Sequence, residues 1–259
     1  MEDMDYVLFT RKVKDTLSLD LSNYKETQMK RRLTSLRLKR GFETFASYFD
    51  AIMKDPDLLS EFKDRVTINV SEFWRNPNRW AALEQKFIPE LLARTPRPKC
   101  WSAACSTGEE PYTLAMILDQ HGGSHAEIIA TDIDATVLRK AQEGIYLDRS
   151  IRDVPPAYMS KYFTRQDQNY CISDTLKRAV KFRQGNLLLD KFEKDFDLII
   201  CRNVMIYFTE SAKHELYHKF AEALKPGGIL FVGSTEQIFS PGQYGLEAAD
   251  SFFYRKISV

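Results

Sequence analysis

Two stretches carry acids at spacings that suit ligand chemistry. Trp101-Ser-Ala-Ala-Cys-Ser-Thr-Gly-Glu-Glu-Pro111 is a short apolar run that ends in Ser-Thr-Gly, then two acids, then a helical pattern from Tyr112 to Leu118. It reads as strand, tight turn and helix start, and in open α/β sheets ligands sit at the carboxyl end of such a strand. About 20 residues on, Ile128-Ile-Ala-Thr-Asp-Ile-Asp134 is a second apolar strand ending in Asp132, placed to accept hydrogen bonds from both hydroxyls of a ribose. The turn has a single glycine, Gly108, and Glu109 and Glu110 occupy the helix start. A pyrophosphate prefers a helix N-terminus free of acids. The pair therefore points to a nucleoside that carries positive charge and no phosphate, which describes S-adenosylmethionine.

Other polar residues fall where such a ligand would meet them. Asn186 follows a third apolar strand and is placed for the adenine edge, and Arg202-Asn203 follows a fourth, Asp197-Leu-Ile-Ile-Cys201, facing the methionine part. In Thr67-Ile-Asn-Val-Ser-Glu-Phe-Trp-Arg75, the polar Asn69, Ser71 and Arg75 interrupt an apolar segment; buried polar groups need partners, so this segment is expected to cover a ligand. Arg202-Asn-Val-Met-Ile-Tyr-Phe208 lacks the Asn-Pro-Pro-Tyr type of segment that amine and base methyltransferases use for a neutral nitrogen, and offers Tyr207 nearby.

The elements that must position these residues follow from pattern. Residues 1–90 read as helices: Val7, Phe9, Val13 and Leu17 mark the first, Met29, Leu33 and Leu36 the stripe of a second from about Tyr24 to Lys39, with a third near 42–54 and a fourth from Asp57 towards Val66. The second carries seven basic residues and one acid between Lys25 and Arg40; Arg32 borders its apolar stripe, which suits a partner helix better than a phosphate backbone. Two prolines in Thr95-Pro-Arg-Pro98 mark a linker at 91–98. From Lys99 strands alternate with helices: strands at 99–105, 127–132, 180–184, 196–202, 228–234 and near 250–257, helices at 109–120, 134–143 and 210–224. This is an α/β pattern with a mostly parallel sheet covered on both faces. A small antiparallel β-subdomain is expected at about 158–182.

Composition narrows the class. Basic and acidic residues balance at 37 and 36, so nothing global demands nucleic acid or a membrane surface. No apolar run approaches the roughly 20 residues of a spanning helix, and the acidic start Met-Glu-Asp-Met-Asp is unlike a signal peptide. The four cysteines form no C-x-x-C pair and read as free thiols of a reducing cytoplasm. His214-Glu-Leu-Tyr-His218 matches a zinc-protease motif, but both histidines project away from the apolar face set by Leu216, Phe220, Ala223 and Leu224, so no metal is expected.

Together these segments resemble the chemotaxis receptor methyltransferase (CheR) family: Thr67–Arg75, Trp101–Tyr112, Ala130–Asp134, Asn186–Leu188 and Cys201–Phe208. The resemblance implies an all-helical N-terminal domain (1–90), the linker, and a Rossmann-like S-adenosylmethionine-dependent methyltransferase domain (99–259) with the inserted β-subdomain. It implies a cytoplasmic protein-glutamate O-methyltransferase that converts S-adenosylmethionine to S-adenosylhomocysteine. It would act in signal transduction on the helical bundle of chemoreceptors, reach the membrane only through the receptor, bind no nucleic acid and work as a monomer. By motif match the cofactor contacts fall on Asn69, Ser71, Arg75, Glu110, Asp132, Asn186, Leu187, Arg202 and Asn203, the catalytic pair on Arg75 and Tyr207, and receptor recognition on Arg32. The loop Thr164–Asn169 is short and lacks glycine, whereas members that dock on a C-terminal receptor pentapeptide tend to have a longer, Gly-containing loop; this departure argues against pentapeptide tethering. The residues leave three alternatives: a methyltransferase acting on RNA or a small molecule, a non-catalytic S-adenosylmethionine sensor, and the zinc peptidase.

Overall fold

The computed structural model describes residues 2–67 and 71–257. The chain forms two compact units, one of residues 1–69 with 207–214, the other of residues 70–206 with 215–259.

The first unit is helical: α1 (Glu2–Leu17), α2 (Glu26–Lys39), α3 (Phe45–Ile52) and α4 (Pro56–Thr67). Its core is aromatic. Phe9 meets Phe45 at 4.9 Å, Phe49 at 6.2 Å and Phe62 at 5.9 Å between ring centroids, distances at which edge and offset contacts are attractive. Tyr6, Phe9 and Val13 form the buried row of α1, and Val7 is exposed. The pattern that paired Val7 with Phe9 gave way because residues two apart lie on different sides of a helix. Asp5 joins α1 to α3 by accepting the first free N–H groups of that helix, from Phe45 at 2.6 Å and Ala46 at 3.1 Å. The basic character of α2 is not all surface. Arg37 is buried, donates to the carbonyls of Phe42 and Glu43 and lies 4.9 Å from the Phe45 ring, and Arg40 pairs with Glu61 at 2.6 Å.

In the second unit β1 (Lys99–Ala103) is central. It pairs in parallel with β2 (Glu127–Asp132) on one side and β7 (Phe196–Cys201) on the other. With β6 (Val180–Gln184), β8 (Leu224–Val232), β9 (Leu246–Asp250) and β10 (Phe253–Lys256), the sheet runs β6-β2-β1-β7-β8-β10-β9, and β10 is antiparallel to both its neighbours. Strand order reverses beside β1, the position where open α/β sheets leave a crevice for ligands. The expected last strand near 250–257 is β10, and the strand before it, β9, is not among those expected; the two form a hairpin at the sheet edge.

Side-chain alternation sends the two faces to different partners. Ser102, Ile200, Phe231 and Phe253 stand in one row across the sheet. Against that face pack α5 (Pro77–Ala82), a π-helical turn (Leu83–Phe87) and α6 (Ile88–Arg94), with Trp80 5.7 Å from Phe231 and Phe87 4.5 Å from Phe253. These helices precede the change to alternating strands, yet their apolar side chains belong to the sheet, so the units divide earlier than the sequence pattern does. The opposite face carries Trp101 against Phe192, Phe196 and Phe220, the last from α12 (Glu210–Ala223).

After α7 (Glu109–Gln120) and α8 (Ala135–Glu143) come β3 (Ile145–Leu147), α9 (Asp148–Ile151), α10 (Pro156–Tyr162), the hairpin β4 (Phe163–Gln166) and β5 (Asn169–Ile172), and α11 (Asp174–Ala179). β3, β5 and β4 make a separate antiparallel sheet. The subdomain therefore starts earlier than 158. Val180–Phe182 is not part of it: it belongs to β6, in parallel register with Ile128–Ala130 of β2. Among the described residues no helix is long and apolar enough to cross a membrane.

Candidate functional site

The turn after β1 is built from left-handed residues. Ala104 (φ 60°), Ser106 (φ 49°) and Gly108 (φ 92°) reverse the chain within five residues. Cys105 N–H donates to Thr131 O at 2.9 Å and Gly108 N–H to Cys105 O at 3.0 Å. Two further left-handed residues, Trp74 (φ 53°) and Asn76 (φ 61°), flank Arg75, and Asn203 (φ 60°) follows Arg202. Non-glycine residues in this region store strain of order 1–3 kcal/mol each and gather at functional sites. Side-chain spacing gives no signal for it.

Asp132 ends β2 with both carboxylate oxygens engaged: Oδ2 accepts from Ser106 N–H at 2.8 Å and Oδ1 from Asp134 N–H at 3.0 Å. Ile133 N–H is a further backbone donor to this carboxylate; a carboxylate offers about four acceptor sites, so capacity for a hydroxyl remains. Burial pushes this carboxyl up to about 6, opposed by those backbone donors. Glu109 is buried, takes the Thr107 hydroxyl and Ser71, and is raised by desolvation. Glu110 accepts from Ser102 Oγ at 2.8 Å and lies 3.7 Å from Arg202 Nη1. Burial pushes Glu110 up to about 7, while Arg202, the Ser102 hydroxyl and Arg75 hold it down.

Arg202 is the hinge of this arrangement. Its Nη2 donates to Arg75 O at 2.8 Å and to Asn76 Oδ1 at 3.0 Å. Its guanidinium carbon lies 4.8 Å from the Phe231 ring centroid and 5.4 Å from that of Trp80. Its Nε is buried with no hydrogen-bond partner among the described residues. The next residue, Asn203, is held by Glu236, a buried acid that accepts from Asn203 N–H at 2.7 Å, Gly233 N–H at 2.8 Å and Ile206 N–H at 3.2 Å. Sequence reading missed Glu236, although it follows an apolar strand and a glycine much as Glu109 follows β1 and Gly108.

The structure thus brings Ser71, Arg75, Glu110, Asp132, Arg202 and Asn203 to the carboxyl ends of β1, β2 and β7. Asn186 and Leu187 sit past β6 in a turn fixed by Leu188 N–H to Asn186 Oδ1 and by Lys219 to Leu187 O. They line a cleft with Trp101, Thr131, Gly185 and Phe192 that contains no other proposed contact residue, though Gly185 N–H is bonded to Asp132 O at 2.9 Å. Asn69 lies outside the described residues. Tyr207 and Arg32 belong to the first unit, where the Arg32 guanidinium stands 5.4 Å over the Tyr207 ring. His214 and His218 are both exposed, and among the described residues no three His, Cys, Asp or Glu side chains converge as a metal site would need.

Residues 69–252 match the CheR methyltransferase, SAM binding domain, and residues 4–67 match the CheR methyltransferase, all-alpha domain. The chain belongs to the CheR methyltransferase family. A chemotaxis protein methyltransferase of Listeria monocytogenes is 46% identical over 256 residues, 98% of each chain. One from Borreliella burgdorferi is 35% identical, covering 94% of this chain and 91% of the relative. The protein is therefore a SAM-dependent methyltransferase with an all-helical N-terminal domain.

The residues present fit the cofactor of this CheR chain. Buried Asp132 retains acceptor capacity for a hydroxyl, Glu110 and Glu109 oppose a phosphate at the start of α7, and the orphaned Nε of buried Arg202 is a cationic donor suited to a carboxylate. Glu110 also makes stability depend on pH. A carboxyl raised in the folded state favours folding while it is protonated; that contribution is whole below the ordinary value of 4.5 and is lost as pH rises through about 7. Relative to wild type, Glu110→Gln is expected to gain on the order of 2 kcal/mol between pH 5 and pH 8. Urea unfolding of the cofactor-free protein at the two pH values measures this, and parallel curves for the two proteins would contradict it.

Proposed function

We propose that this enzyme methylates glutamate side chains on the cytoplasmic helical bundle of chemoreceptors, forming glutamyl methyl esters, in the cytoplasm and as a monomer. The observation that supports the reading best is the joining of Arg75 to the cofactor-side cluster: its carbonyl is bonded by Arg202, and its charge lies close enough to Glu110 to hold that carboxyl down. In this reading Ser71, Arg75, Glu110, Asp132, Asn186, Leu187, Arg202 and Asn203 contact S-adenosylmethionine, as would Asn69. Bound there, S-adenosylmethionine supplies a sulfonium methyl that a carboxylate oxygen takes in line.

A glutamate with an ordinary pKa of ~4.3 is ionised at neutral pH, so the protein needs no general base. The residues have to bring a hydrated carboxylate into a dry site and align it, and positioning lowers barriers by up to about 7–11 kcal/mol in ideal cases. Arg75 holds the carboxylate and Tyr207 orients it, an assignment that rests on the family motif they occupy. Arg75 must hold without neutralising, because an over-tight ion pair quenches the nucleophile. Recognition of the receptor falls to α2. The β4–β5 hairpin turns through Asp167 and Gln168, and receptor docking in this reading does not use a tail pentapeptide.

Methyl-labelled S-adenosylmethionine incubated with the protein and chemoreceptor-containing membranes is the test. Label on a membrane protein that mild base releases is expected, because carboxyl esters are base-labile. Base-stable label, or cofactor binding without transfer, would contradict the reading. In the same assay Arg75→Ala is expected to lower transfer at least tenfold; unchanged turnover would remove Arg75 from its role.

A further inference from the structure

The basic residues of α2 differ in what they touch. Arg37 is buried in the helical core, Arg40 is paired with Glu61, and Arg31 is exposed. Arg32 is half-buried, and its guanidinium faces the Tyr207 ring at 5.4 Å, within the range of cation–π attraction. Its own orientation is fixed from behind, because Nη1 donates to Arg65 O of α4 at 3.3 Å.

The segment that carries Tyr207 is tied to the lead-in of the same helix at successive positions. Lys25 N–H donates to Tyr207 O at 2.9 Å, and Thr209 N–H donates to Asn23 O at 2.8 Å. Tyr24 bridges Phe208 in antiparallel fashion, with ring centroids 5.1 Å apart. These contacts lock the backbone at 207–209 and leave the Tyr207 side chain to turn about its own torsions. Among the described residues, the contact on its ring face is Arg32. A guanidinium over a phenol, held at the same time by Arg65 O, narrows those torsions, and a lysine ammonium lacks the rigid fork that makes both contacts at once.

We propose that Arg32 is a positioning residue for Tyr207: it sets the phenol from α2, so that the helix assigned to receptor recognition also shapes the catalytic group. This rests on the reading of Tyr207 as the residue that orients the substrate carboxylate.

Steady-state methylation of chemoreceptor-containing membranes by the full chain, at saturating S-adenosylmethionine, tests the proposal. Arg32→Ala is expected to lower kcat about fivefold or more and to change KM less than twofold. Arg32→Lys, which keeps the charge and most of the packing, is expected to recover less than half of that loss. Tyr207→Phe lowers kcat by itself, and adding Arg32→Ala to it is expected to cost less than a further twofold. Exposed Arg11→Ala on α1 serves as the control and keeps kcat. A raised KM with unchanged kcat in Arg32→Ala would overturn the proposal and return Arg32 to recognition alone, as would full rescue by lysine or additivity with Tyr207→Phe. Full turnover by Tyr207→Phe would instead sink the parent reading of Tyr207, and this proposal with it. Should Arg32→Ala fold poorly, the lysine variant and its double with Tyr207→Phe carry the same comparison.

Discussion

Arg202→Leu is expected to weaken S-adenosylmethionine binding at least a hundredfold and to cost about 3 kcal/mol of folding free energy. The side chain is buried, with its guanidinium near the Trp80 and Phe231 rings, and is the ion-pair partner of Glu110. Removing one member of a buried pair leaves the other desolvated and uncompensated, which costs more than the pair contributes when whole. The guanidinium also anchors Arg75 O and Asn76 Oδ1, so its loss frees a segment with left-handed residues at Trp74 and Asn76. Strain of that kind persists only while its surroundings impose it. The stability deficit should shrink in mild acid: Glu110 already sits at about 7 with Arg202 present, rises further without it, and becomes neutral. Calorimetric titration with the cofactor and urea unfolding at pH 5.5 and 8 measure both effects. Wild-type affinity in the variant would remove Arg202 from the cofactor site.

The second large effect is expected from Gly108→Ala, at about 3–4 kcal/mol of stability. Two separate causes add. At φ +92° any side chain is strained, by roughly 1–2 kcal/mol. A Cβ there would also stand 2.8 Å from Ala141 Cβ and 3.2 Å from Tyr146 Oη, and overpacking of this kind costs about 1–3 kcal/mol. Tyr146 cannot simply withdraw, because its hydroxyl donates to Thr107 O at 2.8 Å and fixes the same turn. A fall in melting temperature of roughly 10 °C follows for a chain of this size. Ala141→Gly placed on top removes the 2.8 Å contact and should recover only a fraction of the steric part, because Tyr146 Oη and the Cα of residue 141 stay at 3.2 and 3.3 Å. A Gly108→Ala protein that melts with wild type would mean the turn relaxes freely.

The parts of this fold that were legible in sequence are those whose signal is local. Trp101–Pro111 shows its strand, turn and helix start within one window, and Asp132 ends an apolar run that no other element competes for. Other features depend on residues far along the chain. Arg202 reads as a polar residue at a strand end facing the cofactor, but its burial beside Trp80 and Phe231 shows only once those rings are brought to it. Arg37 reads as one more surface charge on a basic helix, yet the carbonyls of the turn that follows draw it inside. β3 is three residues long, too short for alternation to show, and Val180–Phe182 has the same composition whether it joins the small sheet or the large one. Only its register with β2 decides. Glu236 had a faint signal, an acid just past an apolar strand and a glycine, but its purpose appears only with the backbone N–H groups it collects.

The tie between Tyr207–Thr209 and the start of α2 bears on how the chain is made. The first unit is discontinuous in sequence: its four helices are synthesised early, but the segment that pairs with Asn23–Lys25 emerges only after most of the second unit. Chains emerge from the ribosome N-terminus first and domains fold as units, so the nascent helices spend the synthesis of the sheet without their final partner. Completion of the first unit then reports that the strands leading to residue 206 have been made, and a polypeptide stopped before residue 207 would lack the backbone partners of Asn23 and Lys25.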